Sequence, residues 1–309
     1  MRVLVAGGAG FLGSHICEQL LARGDSVVAL DNLSTGRRSN LSHLEADPRM
    51  SVVIADVSRP FHVERPFDAV LNFASPASPP AYLLHPLETM AAGSDGTRQL
   101  LDIASEDGAR YLLASTSEIY GDPTVHPQRE DYRGNVDTIG PRSVYDEAKR
   151  FAETLTMAYH RAKGTDVAIA RLFNTYGPRL SPGDGRVVSN FIVQALEDRP
   201  LTVYGDGSQT RSLCYVDDEV RGLIALLDSE ITGPVNLGNP DERTVLQIAH
   251  VVQEIVGSGS GITYAPLPEQ DPVRRCPDIT LARTGLGWEP EIELKVGLTR
   301  TVEYFASLV

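Results

Sequence analysis

Arg2-Val3-Leu4-Val5-Ala6-Gly7-Gly8-Ala9-Gly10-Phe11-Leu12-Gly13 opens the chain, and the reading of this stretch decides the fold. A short, mostly apolar run of buried-strand character leads into a glycine-rich turn. Leu12, Ile16 and Leu20 then recur at helical spacing until Gly24 stops the helix. In such a strand–turn–helix unit Gly7 permits the tight turn, Gly10 lets backbone N–H groups approach a pyrophosphate, and Gly13 lets the helix pack closely on the strand. Phe11 and Leu12 begin the helix whose N-terminus faces that pyrophosphate. The next strand, Ser26-Val27-Val28-Ala29-Leu30, ends in Asp31, where a carboxylate takes both ribose hydroxyls of an adenosine and repels a 2′-phosphate. NAD is therefore expected over NADP, with Arg37 and Arg38 close enough to blur the preference. Asn32, Ser34, Thr35 and Gly36 continue the same loop as cofactor-binding candidates.

Further strand-like segments at Val52–Ala55, Ala69–Phe73, Tyr111–Ser115 and Val167–Leu172 alternate with helical patterns. That alternation predicts an α/β fold with a doubly wound, parallel Rossmann-type sheet. Asp56 and Val57 follow the third strand, placed to meet an adenine. Phe73 and Ser75 follow the fourth and lie along the dinucleotide. Beyond about residue 180 the texture changes to short strands (Leu201–Tyr204, Leu213–Val216, Val235–Leu237, Ile262–Tyr264) among Gly/Pro turns and helices such as Thr244–Val256. We read residues 1–180 as a dinucleotide-binding domain and 181–309 as a smaller α+β substrate lobe closing a cleft. The boundary is soft, since residues 213–238 can return to the first domain. The Pro-rich stretch Ser75-Pro76-Ala77-Ser78-Pro79-Pro80-Ala81-Tyr82 excludes helix and central strand. It is either a rigid connector or a substrate-side wall with Tyr82 facing the ligand.

With 309 residues, 42% of them hydrophobic and 22% charged, the chain has the composition of an ordinary globular protein. A net charge of −13 without a Lys/Arg tract argues against nucleic-acid or anionic-membrane binding. Cys17, Cys214 and Cys276 lack metal spacing, the seven His form no paired ligand motif, and no metal is expected. An odd cysteine count, no apolar run of membrane length and a first strand at residue 2 together predict a cytoplasmic protein.

The chemistry is carried by Tyr145-Asp146-Glu147-Ala148-Lys149, about one strand and one loop after Ser115-Thr116-Ser117-Glu118. A Tyr and a Lys four residues apart share a helix face. There the ammonium can lower the phenol's pKa and hold a cofactor ribose, while Thr116 shares the proton taken from a substrate alcohol. Alone the pair is weak; after a nicotinamide site it reads as hydride chemistry on a sugar or alcohol carbon. A non-catalytic NAD-binding scaffold on this fold is the alternative, and such scaffolds commonly lose the Tyr or the Lys.

Taken together these residues resemble the extended short-chain dehydrogenase/reductase superfamily, and more closely its UDP-glucuronic acid decarboxylases. The resemblance rests on Thr116-Ser117-Glu118-Ile119-Tyr120-Gly121-Asp122-Pro123, on Gly140-Pro141-Arg142-Ser143 through Lys149-Arg150, and on Gly185-Arg186-Val187-Val188-Ser189-Asn190-Phe191. Leu201-Thr202-Val203-Tyr204-Gly205-Asp206-Gly207-Ser208-Gln209-Thr210-Arg211 and Asp271-Pro272-Val273-Arg274-Arg275 extend it. It covers residues 1 to about 305, departing mildly at Val144 and Ala148. It implies oxidation of UDP-glucuronic acid at C4, loss of CO2, protonation at C5 and re-reduction to UDP-xylose, with NAD tightly held and a homodimer built on a four-helix bundle. By the same resemblance Tyr145 is the base at O4, Lys149 its partner and Thr116 the relay. Glu118 stands near C5, Ser117 braces the carboxyl group, and Arg275 reaches the same end of the sugar. Related 4,6-dehydratases carry Thr-Asp-Glu here, and 4-epimerases leave room where Glu118 stands. For substrate binding, Arg211 is expected at the diphosphate, Tyr204 and Gln209 at the nucleoside, Asn174 at diphosphate or sugar, and Thr175 beside the cofactor. Arg186 either clamps a phosphate or forms a structural salt bridge. Arg142 and Arg179 carry no assignment.

Overall fold

The computed structural model describes residues 1–267 and 274–308. The first half runs β1 (Arg2–Ala6), α1 (Phe11–Arg23), β2 (Ser26–Asp31), β3 (Met50–Ile54), β4 (Ala69–Asn72), α2 (Pro79–Leu84), α3 (Pro86–Ala91), α4 (Thr97–Asp107), β5 (Arg110–Thr116), α5 (Ser143–Lys163) and β6 (Val167–Leu172). It continues with β7 (Thr175–Tyr176), α6 (Val187–Leu196), β8 (Leu201–Tyr204), β9 (Thr210–Ser212), β10 (Cys214–Tyr215), α7 (Val216–Leu227), β11 (Pro234–Leu237), β12 (Glu242–Thr244), α8 (Val245–Val256), β13 (Ile262–Ala265), α9 (Thr280–Leu286) and α10 (Leu294–Ala306).

Seven strands form one parallel sheet in the order β11-β6-β5-β4-β1-β2-β3. The winding reverses between β1 and β4, which opens a crevice at the carboxyl ends of the strands. Alternate side chains of one strand feed two cores, as the pleat requires: Val3 and Val5 pack with α1 and α7 residues such as Leu20 and Leu223, Leu4 and Ala6 with α4 residues such as Leu100. Gly7 adopts φ +78°, and a Cβ there would lie 2.7 Å from the Phe73 carbonyl carbon. A Cβ at Gly13 would collide with the Gly7 carbonyl. Only glycine lets β1, α1 and the end of β4 approach so closely.

The Pro-rich stretch departs from expectation, because Pro79–Leu84 is helical. Pro79 and Pro80 occupy the first turn, whose N–H groups lack intrahelical acceptors anyway and whose φ proline already supplies. The third strand begins two residues earlier than expected, at Met50. The expected Leu213–Val216 strand shrinks to Cys214–Tyr215, parallel to β7, and Val216 already starts α7. Residues 234–237 lie at the edge of the large sheet, paired with β6. Outside that sheet, β8 pairs with β13 and β9 with β12, and α6, α8 and α10 pack beside them. Thr244 and Gln247 form a reciprocal capping box at the start of α8. Cys17, Cys214 and Cys276 are buried free thiols, and among the described residues no helix is long and apolar enough to cross a membrane.

Asp218 of α7 fastens the C-terminal segment to the sheet. Its carboxylate accepts the Glu291 and Ile292 amides at 3.0 and 2.8 Å, and its carbonyl accepts the Trp288 indole N–H at 2.9 Å. Trp288 is 1% exposed. Trp288→Ala is expected to lower the unfolding free energy by about 3–5 kcal/mol, the cost of emptying a large aromatic site. Urea titration checks this, and a loss under about 1 kcal/mol contradicts it.

Candidate active site

Thr116 ends β5 and caps the 3-10 turn Ser117–Tyr120, its Oγ1 accepting the Glu118 amide at 3.2 Å. A buried network fixes the turn from behind. The Tyr120 hydroxyl donates to Asn236 Oδ1 at 2.7 Å and accepts from Arg171 Nη1 at 3.0 Å. Asn236 in turn donates to the carbonyls of Gln128 and Asp278, both at 3.0 Å. Satisfied on all these groups, the network holds the turn in one position.

Pro141 and Arg142 lead into α5, and Arg142, Tyr145 and Lys149 follow one another down its cavity side. Lys149 Nζ donates to the Ala114 carbonyl at 2.9 Å and lies 5.9 Å from the Tyr145 ring centre. Burial lowers the Lys149 ammonium to about 8, with the Glu153 charge opposing. The expected depression of the Tyr145 phenol by Lys149 is not found. Burial raises that phenol well above its ordinary value, its hydrogen bond with Thr116 works the other way, and the charge of Glu118 raises it further. Tyr145 is thus held beside Thr116, the partner that opposes this rise. Tyr82 is 1% exposed and stacks flat on Tyr145, ring centres 5.2 Å apart, so it walls the site through Tyr145.

Glu118 is held by two guanidiniums on one oxygen. Arg142 Nη2 donates to Oε2 at 2.6 Å and Arg275 Nη2 at 3.3 Å. Burial alone would raise this carboxyl; the charges of Arg275 and Arg142 outweigh it and hold the group at about 2. Arg275 is 2% exposed. It also donates to the carbonyls of Ser117 and Gly121, the latter at 3.1 Å. Asp271, Pro272 and Val273, which precede it in the motif, lie outside the described residues. Asp146, three residues before Lys149 on α5, is raised to about 7, first by burial and then by the charge of Glu118.

These groups line a cavity of about 780 Å³ that reaches the glycine turn. Gly7, Gly10, Phe11, Leu12, Gly13, Ser34, Thr35, Phe73 and Ser75 lie along it, with Thr116, Ser117, Glu118, Tyr145, Lys149 and Thr175 at its centre. Tyr82, Asn174, Arg186, Tyr204, Gln209, Arg211 and Arg275 complete the wall. A smaller adjoining pocket is lined by Asp31, Asn32, Asp56 and Val57. The residues fit a dinucleotide. The start of α1 carries no side-chain cap and no acidic residue in its first turn, leaving its N–H groups for an anion. Asp31 accepts the Ala9 and Leu33 amides at 2.9 and 2.8 Å, and a Cβ at Gly36 would lie 2.8 Å from its carboxylate. Burial raises the Asp31 carboxyl and those amides oppose the rise.

Several expected contacts are already spent within the protein. Arg186 forms the salt bridge left open for it, Nη2 to Asp184 Oδ2 at 2.9 Å. Gln209 Nε2 donates to the Tyr204 carbonyl at 2.6 Å, and the Thr175 hydroxyl to the Phe173 carbonyl at 2.9 Å. Arg211 Nη1 donates to the Thr210 carbonyl at 2.8 Å. Arg37 and Arg38 are engaged by the Arg179 carbonyl and by Glu45. Arg142 is the residue that sequence reasoning passed over. Its spacing of three before Tyr145 and seven before Lys149 was the available signal.

Residues 3–238 match the NAD dependent epimerase/dehydratase family. UDP-glucuronic acid decarboxylase 1 of Arabidopsis thaliana is 50% identical over 309 residues, covering 100% of this chain and 71% of that protein. UDP-glucuronic acid decarboxylase 1 of Danio rerio is 50% identical over 305 residues, 99% of this chain and 72% of that protein. Among solved structures, UDP-glucuronic acid 4-epimerase from Bacillus cereus, in complex with UDP-glucuronic acid and NAD, superposes with a TM-score of 0.88 at 28% identity, covering 100% of both chains. With its glycine turn, its Tyr/Lys helix and its Thr-Ser-Glu turn in one cavity, the chain belongs to the NAD dependent epimerase/dehydratase family and, within it, to the UDP-glucuronic acid decarboxylases.

Proposed function

We propose that the protein converts UDP-glucuronic acid to UDP-xylose and CO2 with NAD as a retained cofactor. The observation that carries this reading is the Glu118 carboxylate, pinned by Arg142 and Arg275 beside Tyr145, where an epimerase needs open space. Gly7, Gly10, Gly13 and Asp31 would hold NAD, which would supply reversible hydride transfer at C4. The protein's own residues do the rest. Tyr145 and Thr116 take and return the O4 proton, and Lys149, tied to Ala114, fixes one side of that pair. Glu118 stays ionised and acts as an acceptor that orients a water or hydroxyl near C5. Ser117 braces the sugar carboxyl group. Arg275 spends both Nη groups on the turn, so its contribution runs chiefly through the placement of Ser117 and Glu118. Arg211 takes the diphosphate, with Asn174 beside it and Tyr204 and Gln209 shaping the nucleoside end.

A homodimer is part of the proposal. Leu84, Leu87, Met90 and Phe151 expose apolar surface on α2, α3 and α5, and α3 packs beside α5. Three buried thiols support a reducing, cytoplasmic setting.

Incubation with UDP-glucuronic acid and NAD+ is expected to give UDP-xylose and CO2 with no net consumption of NAD+. Mass analysis decides it, since UDP-galacturonate with its carboxylate retained would mark an epimerase. NADP+ is expected to bind more weakly than NAD+, because Asp31 meets the 2′ position. Equal or tighter NADP+ binding in a titration rejects that assignment. Tyr145→Phe is expected to cost about 10²–10⁴-fold in turnover while NAD+ binding persists. A loss below about tenfold would require another base.

A further inference from the structure

Beyond holding Glu118, Arg142 has no part in the reaction described above, yet it lines the same cavity as Tyr145 and Lys149. Its side chain is 19% exposed and contacts Glu118 at 2.6 Å. Arg275 contacts the same Glu118 oxygen. One carboxylate oxygen is therefore shared by two guanidiniums, and these three groups carry one net positive charge, which Asp146, raised to about 7 by burial and Glu118, offsets only in part. Arg275 is in no position to use that charge elsewhere, being 2% exposed and bonded to the Ser117 and Gly121 carbonyls as well. For Arg142 the described residues provide one hydrogen-bond acceptor, Glu118, against the five N–H donors of a guanidinium.

We propose that Arg142 is the specificity-determining residue for the acidic sugar: it pairs with the C6 carboxylate and sets the preference for an acidic over a neutral nucleotide sugar. The proposal rests on the decarboxylase reading. An incoming carboxylate neutralises the excess charge and meets a planar fork suited to it. A neutral hydroxymethyl sugar leaves that charge desolvated and unpaired, which is how a polar site rejects a near-isostere. The chemistry stays balanced. Once C4 is a ketone, the C5–C6 bond breaks, its electron pair passes to the C4 carbonyl as an enolate, and neutral CO2 departs. C5 then takes a proton. The charge that Arg142 pairs thus moves from C6 toward O4 and Tyr145 while Arg142 stays fixed on Glu118.

The test compares dissociation constants of UDP-glucuronic acid, UDP-glucose and UDP for the full chain and for Arg142→Gln. UDP-glucuronic acid is expected to weaken about ten- to hundred-fold, the effect of losing a charge-assisted contact, while UDP and UDP-glucose change less than about threefold. Equal weakening of all three overturns the proposal. The double variant Arg142→Gln/Glu118→Gln restores the original excess charge, so a persistent loss of acidic preference supports direct recognition, whereas recovery overturns it. NAD+ affinity reports whether the variants are folded. Should Arg142→Gln not fold, Arg142→Lys keeps the charge but not the fork, and an unchanged preference there overturns the proposal. These ratios are read without turnover. A wild type that binds UDP-glucuronic acid but leaves its carboxylate in place refutes the decarboxylase reading alone.

Discussion

A buried guanidinium is costly unless its donors are taken up, and Arg275 places both Nη groups, though not Nε, on the turn that follows β5. Its two carbonyl acceptors and the Glu118 carboxylate belong to the segment from Ser117 to Gly121, 154 or more residues away in sequence. The C-terminal part of the chain is therefore fastened to the end of a central strand by a charge that has nowhere else to go. The turn that carries Ser117 and Glu118 leans on this contact. It fixes the Ser117 and Gly121 carbonyls and, with Arg142, keeps Glu118 ionised. Behind it, Tyr120, Asn236 and Arg171 complete the support.

The fold places the chain among proteins of several chemistries, and fold alone decides little about which one operates. The solved neighbours include UDP-glucose 4-epimerase from Thermotoga maritima, with a TM-score of 0.90 at 29% identity. The resemblance to the decarboxylases implies that the separation lies in the charge carried by one turn at the end of β5. An ionised Glu118 between two arginines occupies volume and is strongly polar. A keto-sugar that must rotate over its ring has little use for such a neighbour, whereas a sugar that loses a carboxylate in place does.

Short-range patterns were the legible part of the sequence. The glycine turn, Asp31 at the tip of β2 and the Tyr145–Lys149 spacing all depend on residues within one strand–turn–helix or one helix turn, where geometry follows from local rules. Val167–Leu172 and Leu201–Tyr204 were readable for the same reason. What stayed hidden depended on partners far along the chain or on backbone atoms. Lys149 is held by a carbonyl, and carbonyls leave no trace in side-chain patterns. The pairing of Glu118 with Arg275 spans 157 residues. Pro79 and Pro80 misled because proline excludes a helix interior but suits its first turn, and spacing alone does not say which applies. Gln209 and Thr175 appeared available to a ligand because their acceptors are again backbone oxygens.

The Asn236 anchor also bears on the order in which the molecule matures. β1 through β6 and the glycine turn are complete by residue 172, and α7, which packs on α1 and β1, by residue 227. The turn that carries Glu118 is different: its last supports arrive with Asn236, Asp278 and Arg275. Such contacts of long sequence separation form late, after loop-closure entropy has been overcome. On a ribosome, which releases the N-terminal part first, a nucleotide-binding half precedes a finished reaction chamber. Truncation before Arg275 would thus strip the turn of its anchors and, by removing Trp288 and the residues bonded to Asp218, would also loosen α7 on the sheet.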